Sequence, residues 1–156
     1  VAAAAAQGRY MEREEFLRGA FPGGPPEPQT LWIGEDLRES IETGLGHPFA
    51  PLRVRYWREG ERTAWILDEI GKERPITLGI SLMDGKVEEV RVLEFRETRG
   101  WEIRFPFFTD QFSGARLDGR GRIDREIDGI TGATLSVRAA MRAVRLALLL
   151  DGESRR

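Results

Sequence analysis

From Leu52 onward, apolar positions recur every second residue. Leu52, Val54 and Tyr56 alternate with Arg53, Arg55 and Trp57, the pattern of a half-buried strand. Glu59-Gly60-Glu61 supplies a turn and Thr63 to Ile70 the returning strand. Ile76 to Met83 and Val87 to Phe95 flank Asp84-Gly85-Lys86, and Asp-Gly between two apolar runs predicts a tight hairpin whose turn positions need positive φ. Trp101 to Phe108 is a further apolar stretch, in which Pro106 turns the second half into a loop or a short helical turn.

Elsewhere the spacing is helical. Phe16, Leu17 and Ala20 share one face of a short helix over Glu12 to Ala20, and the Pro/Gly-rich run from Pro22 to Pro28 ends it. Leu37, Ile41 and Leu45 repeat every four residues across Glu35 to Leu45, with Gly44 and Gly46 as its stop. The longest helix spans Leu135 to Leu150. Val137, Ala140, Met141, Val144, Ala147 and Leu148 form its buried stripe, and Arg138, Arg142 and Arg145 a solvated one. This order predicts an α+β fold, an antiparallel sheet with helices packed on it. Trp57 and Trp65 read as sheet packing, His47 as a surface loop residue, and Asp68-Glu69 as a solvated face.

The 156 residues suffice for one domain with a genuine core. Residues 1–28 read as a tail, a short helix and a connector, 29–150 as the domain, and 151–156 as a closing tail. Valine and five alanines at the start resemble the end of a secretory signal, or a frayed helical turn. No apolar run reaches the ~20 residues of a membrane span. The net charge of −2 argues against a nucleic-acid-gripping protein. Cysteine is absent, which excludes disulfides, iron–sulfur clusters and thiol catalysis, and the single His47 leaves little for a histidine-built metal site. Chemistry here must come from a bound cofactor or from carboxylates and hydroxyls.

One segment stands out for such chemistry. Asp128-Gly129-Ile130-Thr131-Gly132-Ala133-Thr134 directly precedes the last helix, so small residues deliver a hydroxyl to a helix start, where free N–H groups and the helix dipole favour an anion. Two readings stay open on the residues alone. Thr134 is presented to a phosphate-bearing ligand, or Thr134 or Ser136 merely caps the helix.

The run from Asp128 to Thr134 resembles the Asp-x-x-(Ser/Thr)-Gly-Ala-Thr flavinylation signature of the FMN-binding domain family. That family occurs in subunits of the Rnf and sodium-translocating NADH:quinone reductase complexes and in small stand-alone proteins. The resemblance extends over roughly residues 70 to 150. It includes Asp84-Gly85-Lys86-Val87, Glu97-Thr98-Arg99-Gly100 against the family's Glu-Thr-Pro-Gly, and Gln111-Phe112-Ser113-Gly114 against its Gln-Phe-x-Gly, while Tyr10 to Pro22 is similar to the lead-in of stand-alone members. Arg99 departs from the usual proline, which loosens that loop and adds a cation; it reads as a solvated surface arginine, with an inward position that favours reduced anionic flavin as the lesser alternative.

The resemblance implies FMN esterified through its phosphate to Thr134. Thr131, Gly132, Ala133, Asp128 and Leu135 would surround the linkage, and Glu97, Thr98 and Trp101 would face the ring. Asp128 would serve in recognition, or as an acceptor that stabilises the turn. With no base beside it, a threonine hydroxyl is a poor nucleophile, and the resemblance implies a separate flavin transferase using FAD and a metal. The expected protein is an extracytoplasmic electron carrier exchanging electrons with membrane redox proteins. Its rivals are a module holding flavin or another phosphate ligand without a covalent bond, and an envelope scaffold without flavin. Arg116, Arg120, Arg122 and Arg125 in the preceding loop read as solvent-exposed, with contact to the flavin phosphate as the lesser alternative.

Overall fold

A computed structural model describes residues 7–156; the alanine-rich start, with the two readings given for it, lies outside the described residues. Six strands form one antiparallel sheet: β1 (Gly8–Arg9), β2 (Gln29–Trp32), β3 (Arg53–Glu59), β4 (Arg62–Ile70), β5 (Pro75–Met83) and β6 (Lys86–Phe95). Their spatial order is β1-β6-β5-β4-β3-β2. The helices are α1 (Arg13–Ala20), α2 (Glu35–Leu45), the single turn α3 (Pro106–Thr109) and α4 (Thr134–Ser154). The fold is α+β, as the alternation of periods predicts. Among the described residues no helix is long and apolar enough to cross a membrane.

Each face of the sheet has its own apolar cluster. The larger lies under α4 and α2 and joins Trp65, Leu78, Ile80, Leu82, Val92 and Phe95 to Val137, Ala140, Val144 and Leu148. The smaller lies under α1 and joins Phe16, Leu17 and Phe21 to Ala64 and Leu93. β5 is therefore covered on both sides, and Gly79 lets α1 approach: a Cβ there would sit 2.8 Å from the Phe16 ring. The β5–β6 pairing shifts register between Thr77 and Leu78, opposite Glu94 and Val92. This extra residue lets β6 serve both cores, with Val92 and Phe95 in the larger and Leu93 in the smaller.

The structure departs from the periodic reading in three places. Trp101–Arg104 is a 3-10 turn, followed after the extended Phe105 by α3 with Pro106 at its start, so the apolar stretch there forms two helical turns and no strand. The pairing strands β1 and β2 are short and mostly exposed, which leaves little apolar pattern to read. The last helix runs past Leu150 to Ser154, with Asp151 buried. The Asp151 carboxylate accepts from Thr63 Oγ1 at 2.8 Å and from Arg155 Nε at 3.1 Å, which ties the helix end to β4.

Two polar side chains are also more deeply embedded than their exposed, loop-like context predicts. Glu69 is buried, not solvated; its Oε1 lies 2.6 Å from His47 Nε2 and 3.2 Å from Arg142 Nε. His47 is thus a loop residue held to the sheet by a carboxylate, and a buried carboxylate is tolerated because two cationic or hydrogen-bonding partners surround it.

Gly79→Ala should cost about 1–3 kcal/mol through the clash with Phe16. Pairing it with Phe16→Leu should recover part of that loss, so that the double variant's denaturant midpoint lies above the additive expectation; strict additivity would show that the two residues do not meet.

Candidate functional site

The motif before α4 forms a turn in which Ala133 N–H donates to the Ile130 carbonyl at 2.9 Å. Gly132, third in that turn, has φ 83, the left-handed conformation that glycine adopts without strain. The N-cap position then falls on Ala133, which has no side chain able to cap. Thr134 is the first helical residue, exposed, and its hydroxyl has no hydrogen-bond partner among the described residues. The first α4 amide bonded back into the helix is that of Val137, to Ala133 at 2.9 Å. The N–H groups of Thr134, Leu135 and Ser136 are left without partners among the described residues, and they carry the positive end of the helix dipole. The capping reading therefore fails for Thr134, and Ser136 is buried instead of capping.

Ser136 is buried against the turn that follows β6. Gly100 there has φ 89, and a Cβ on it would come within 2.1 Å of Ser136 Oγ. Only glycine permits this approach, which sets residues 97–100 directly against the first turn of α4. Glu97, in the same turn, is buried, and its Oε1 accepts from the backbone N–H groups of Lys72 at 2.9 Å, Glu73 at 2.6 Å and Arg74 at 2.6 Å. The whole β4–β5 loop is thereby folded onto one carboxylate oxygen. Burial by itself pushes the Glu97 carboxyl up, but the three amide donors together outweigh it and hold the group below its usual range.

Between these segments lies a cleft of about 610 Å³, lined by Lys72, Glu97, Thr98, Arg99, Gly100 and the stretch from Gly132 to Ser136. It places Thr134, Gly132, Ala133, Leu135, Glu97 and Thr98 together, though they come from two distant parts of the chain. Trp101, Thr131 and Asp128 are not among its lining residues. Trp101 is half-buried and packs edge-on against Phe105 with centroids 5.5 Å apart, under the Arg104 guanidinium. Asp128 is clamped through its backbone: its N–H donates to Gln111 Oε1 at 2.7 Å, and its carbonyl accepts from Gln111 Nε2 at 3.1 Å. Its carboxylate is exposed and bonds nothing among the described residues, so the turn is stabilised by Gln111 and not by the Asp128 side chain.

Sequence reasoning missed Lys72. Its position depends on a loop being captured by Glu97 from 23 to 25 residues away, and no local pattern signals that. Arg99, read as a solvated departure from a proline, lines the cleft as its second cation. None of Arg116, Arg120, Arg122 and Arg125 lines it.

The FMN-binding domain family matches residues 71–149 of the chain. The protein belongs to that family. Its cofactor is FMN, and the matched span begins at the loop carrying Lys72 and ends within α4. No match is found among curated proteins or among solved structures. The cleft suits this cofactor on its own chemistry: three unbonded amides and two cations favour a phosphate, an exposed hydroxyl stands beside them, and Gly100 and Gly132 leave the walls without side-chain bulk.

Glu97→Ala should lower stability by about 1–2 kcal/mol near neutral pH, because three part-buried amides lose a charged acceptor. The pH dependence follows from the lowered pKa. The advantage of wild type over Glu97→Gln should be full above the ordinary carboxylate pKa of about 4.3 and should vanish as pH falls through the lower folded value. Thermal melts of both proteins from pH 3 to 7 check this; a constant difference across that range would contradict it.

Proposed function

We propose that this domain is an extracytoplasmic electron carrier whose FMN is joined to Thr134 by a phosphoester, and that it relays electrons between membrane redox proteins. The observation that carries this reading is the Thr134 hydroxyl, exposed and unbonded beside three free amides in a cleft that also holds Lys72 and Arg99. A diester keeps one negative charge, and the open end of α4 is where the fold can offset it without a counter-ion.

The chain itself supplies no means to make that bond. His47, its single histidine, is engaged with Glu69 and lies outside the cleft lining, and the Glu97 carboxylate, held below its usual pKa by three amide donors, is too weak a base to activate a hydroxyl. Attachment therefore falls to a separate flavin transferase, which would transfer the flavin-side phosphoryl group of FAD to Thr134 Oγ with AMP leaving. The exposed, unengaged Asp128 carboxylate is available to such an enzyme as a recognition mark. A permanent bond makes physical sense outside the cytoplasm, where dissociated FMN would be lost by dilution, whereas tethering fixes its effective concentration.

When bound, FMN supplies the one- and two-electron redox chemistry. The protein's part is position and field. Lys72 and Arg99 are cations beside the site, so they favour the state in which the cofactor carries more negative charge. Gly100, packed on Ser136, fixes the distance between the wall bearing these cations and the wall bearing Thr134.

Co-production with a flavin transferase should add the mass of FMN less one water to the intact protein, and a denaturing gel should show a flavin-fluorescent band. Thr134→Ala should abolish both. Yellow protein that loses its colour on denaturation would mean a non-covalent flavin module, and colourless protein that fails to take up FMN a scaffold. In flavinylated protein, Lys72→Gln combined with Arg99→Gln should move the midpoint potential in the negative direction; an unchanged potential in a redox titration would remove these two side chains from the site's field.

A further inference from the structure

A second concavity, separate from the FMN cleft and sharing no lining residue with it, lies on the solvent side of α4. Its volume is about 340 Å³, and five arginines surround it: Arg122, Arg125, Arg138, Arg142 and Arg145. Its floor is apolar, made by Ile123 and Met141. A chain of net charge −2 has thus gathered five guanidinium groups at one place.

Two of the five are neutralised within the protein. Arg142 donates to the buried Glu69 at 3.2 Å and to the Ile70 carbonyl at 2.8 Å. Arg125 donates to Asp124 at 3.1 Å and to the Ser113 carbonyl at 2.7 Å. Both are held by these bonds in fixed positions at the rim. The side chains of Arg122, Arg138 and Arg145 make no hydrogen bond or close ion pair among the described residues, although Arg122 donates its backbone N–H to Asp118 Oδ1 at 3.0 Å and its charge acts on that carboxylate.

Arg145 is the telling member. It is only half exposed, and it lies across Gly44 at the end of α2, where an added Cβ would stand 3.2 Å from its Cζ and Nε. Gly121, with φ 75, lies farther off: an added Cβ there would stand 3.9 Å from Nη2, at ordinary contact distance. The absence of a side chain at Gly44 thus leaves room for a half-exposed guanidinium that makes no ion pair among the described residues, although Asp36 and Glu39 line the neighbouring concavity that Arg145 also borders. Partial burial of an unpaired charge is unfavourable, and the unpaired Arg138, which lines the same concavity, adds like-charge repulsion. An anion bound in the concavity would relieve both.

We infer that this pocket is a binding site for a small organic anion of at least two negative charges joined to a flat apolar body. The charged end would meet Arg145, Arg138 and Arg122, whose forks suit phosphate or carboxylate oxygens. The flat end would lie on Ile123 and Met141, where thioether and guanidinium groups both favour aromatic faces. The volume falls within the range of small-molecule sites, and the concave shape with an apolar floor favours a compact ligand over an extended acidic chain.

The test is calorimetric titration of the full chain with AMP and with phthalate, which separate a phosphate from a dicarboxylate source. Inorganic phosphate, adenosine and polyglutamate are the comparisons. One-site binding of AMP or phthalate is expected, with inorganic phosphate at least tenfold weaker and adenosine silent. Arg145→Met and, separately, the exposed Arg138→Gln should each weaken that binding by about tenfold or more. The second variant keeps the test valid if the first unfolds, and Lys72→Gln should leave binding unchanged. The inference is overturned if neither AMP nor phthalate binds, if polyglutamate alone binds, or if the Lys72 variant and not the arginine variants removes the binding.

Discussion

The free first turn of α4 is the constraint on which the rest of the molecule turns. A helix start ordinarily acquires a side-chain acceptor for its orphan amides, worth about 1 kcal/mol. Here the position that would supply it is Ala133, and the amides of the next three residues face a cleft. The fold forgoes that local stabilisation, which leaves this helix start able to accept an anion in place of a cap. Thr134, immediately inside that turn, is thereby kept exposed and unbonded, and the same geometry that favours phosphate presents a hydroxyl beside it.

The rest of the fold holds that turn open at a fixed distance from a second wall. Gly100 lets the turn after β6 approach Ser136 without a side chain between them. Glu97 draws the β4–β5 loop onto one oxygen, which brings Lys72 to the cleft edge. At the far end, Asp151 ties α4 to Thr63 and Arg155, so the helix is anchored at its C-terminus and packed along its length while its N-terminus remains free.

The sheet elements were legible because their signals are local. Asp84 and Gly85, with φ 53 and 76, form the hairpin turn that their identity predicts, and alternating apolar residues on both sides leave one register that buries them. Helices α1, α2 and α4 showed themselves through a period that their neighbours do not share. Trp101–Arg104 was not legible as a 3-10 turn, since a short apolar run carries no period. Glu69 and His47 looked like surface residues because a charge's partner is invisible until the chain brings it near. The loop arginines divide for the same reason: Arg122 and Arg125 join the stripe of α4 and not the cofactor cleft.

The sequence by itself determined the α+β class, the hairpin, the closing helix and the motif that ends at Thr134, since all of these depend on neighbours within a few residues. Tertiary structure alone decided that Thr134 is no cap, that Lys72 and Arg99 share its cleft, and that Glu97 is a scaffold carboxylate as well as a wall. Each of these rests on contacts between segments tens of residues apart, and the distance between such segments is set by packing and not by any pattern along the chain.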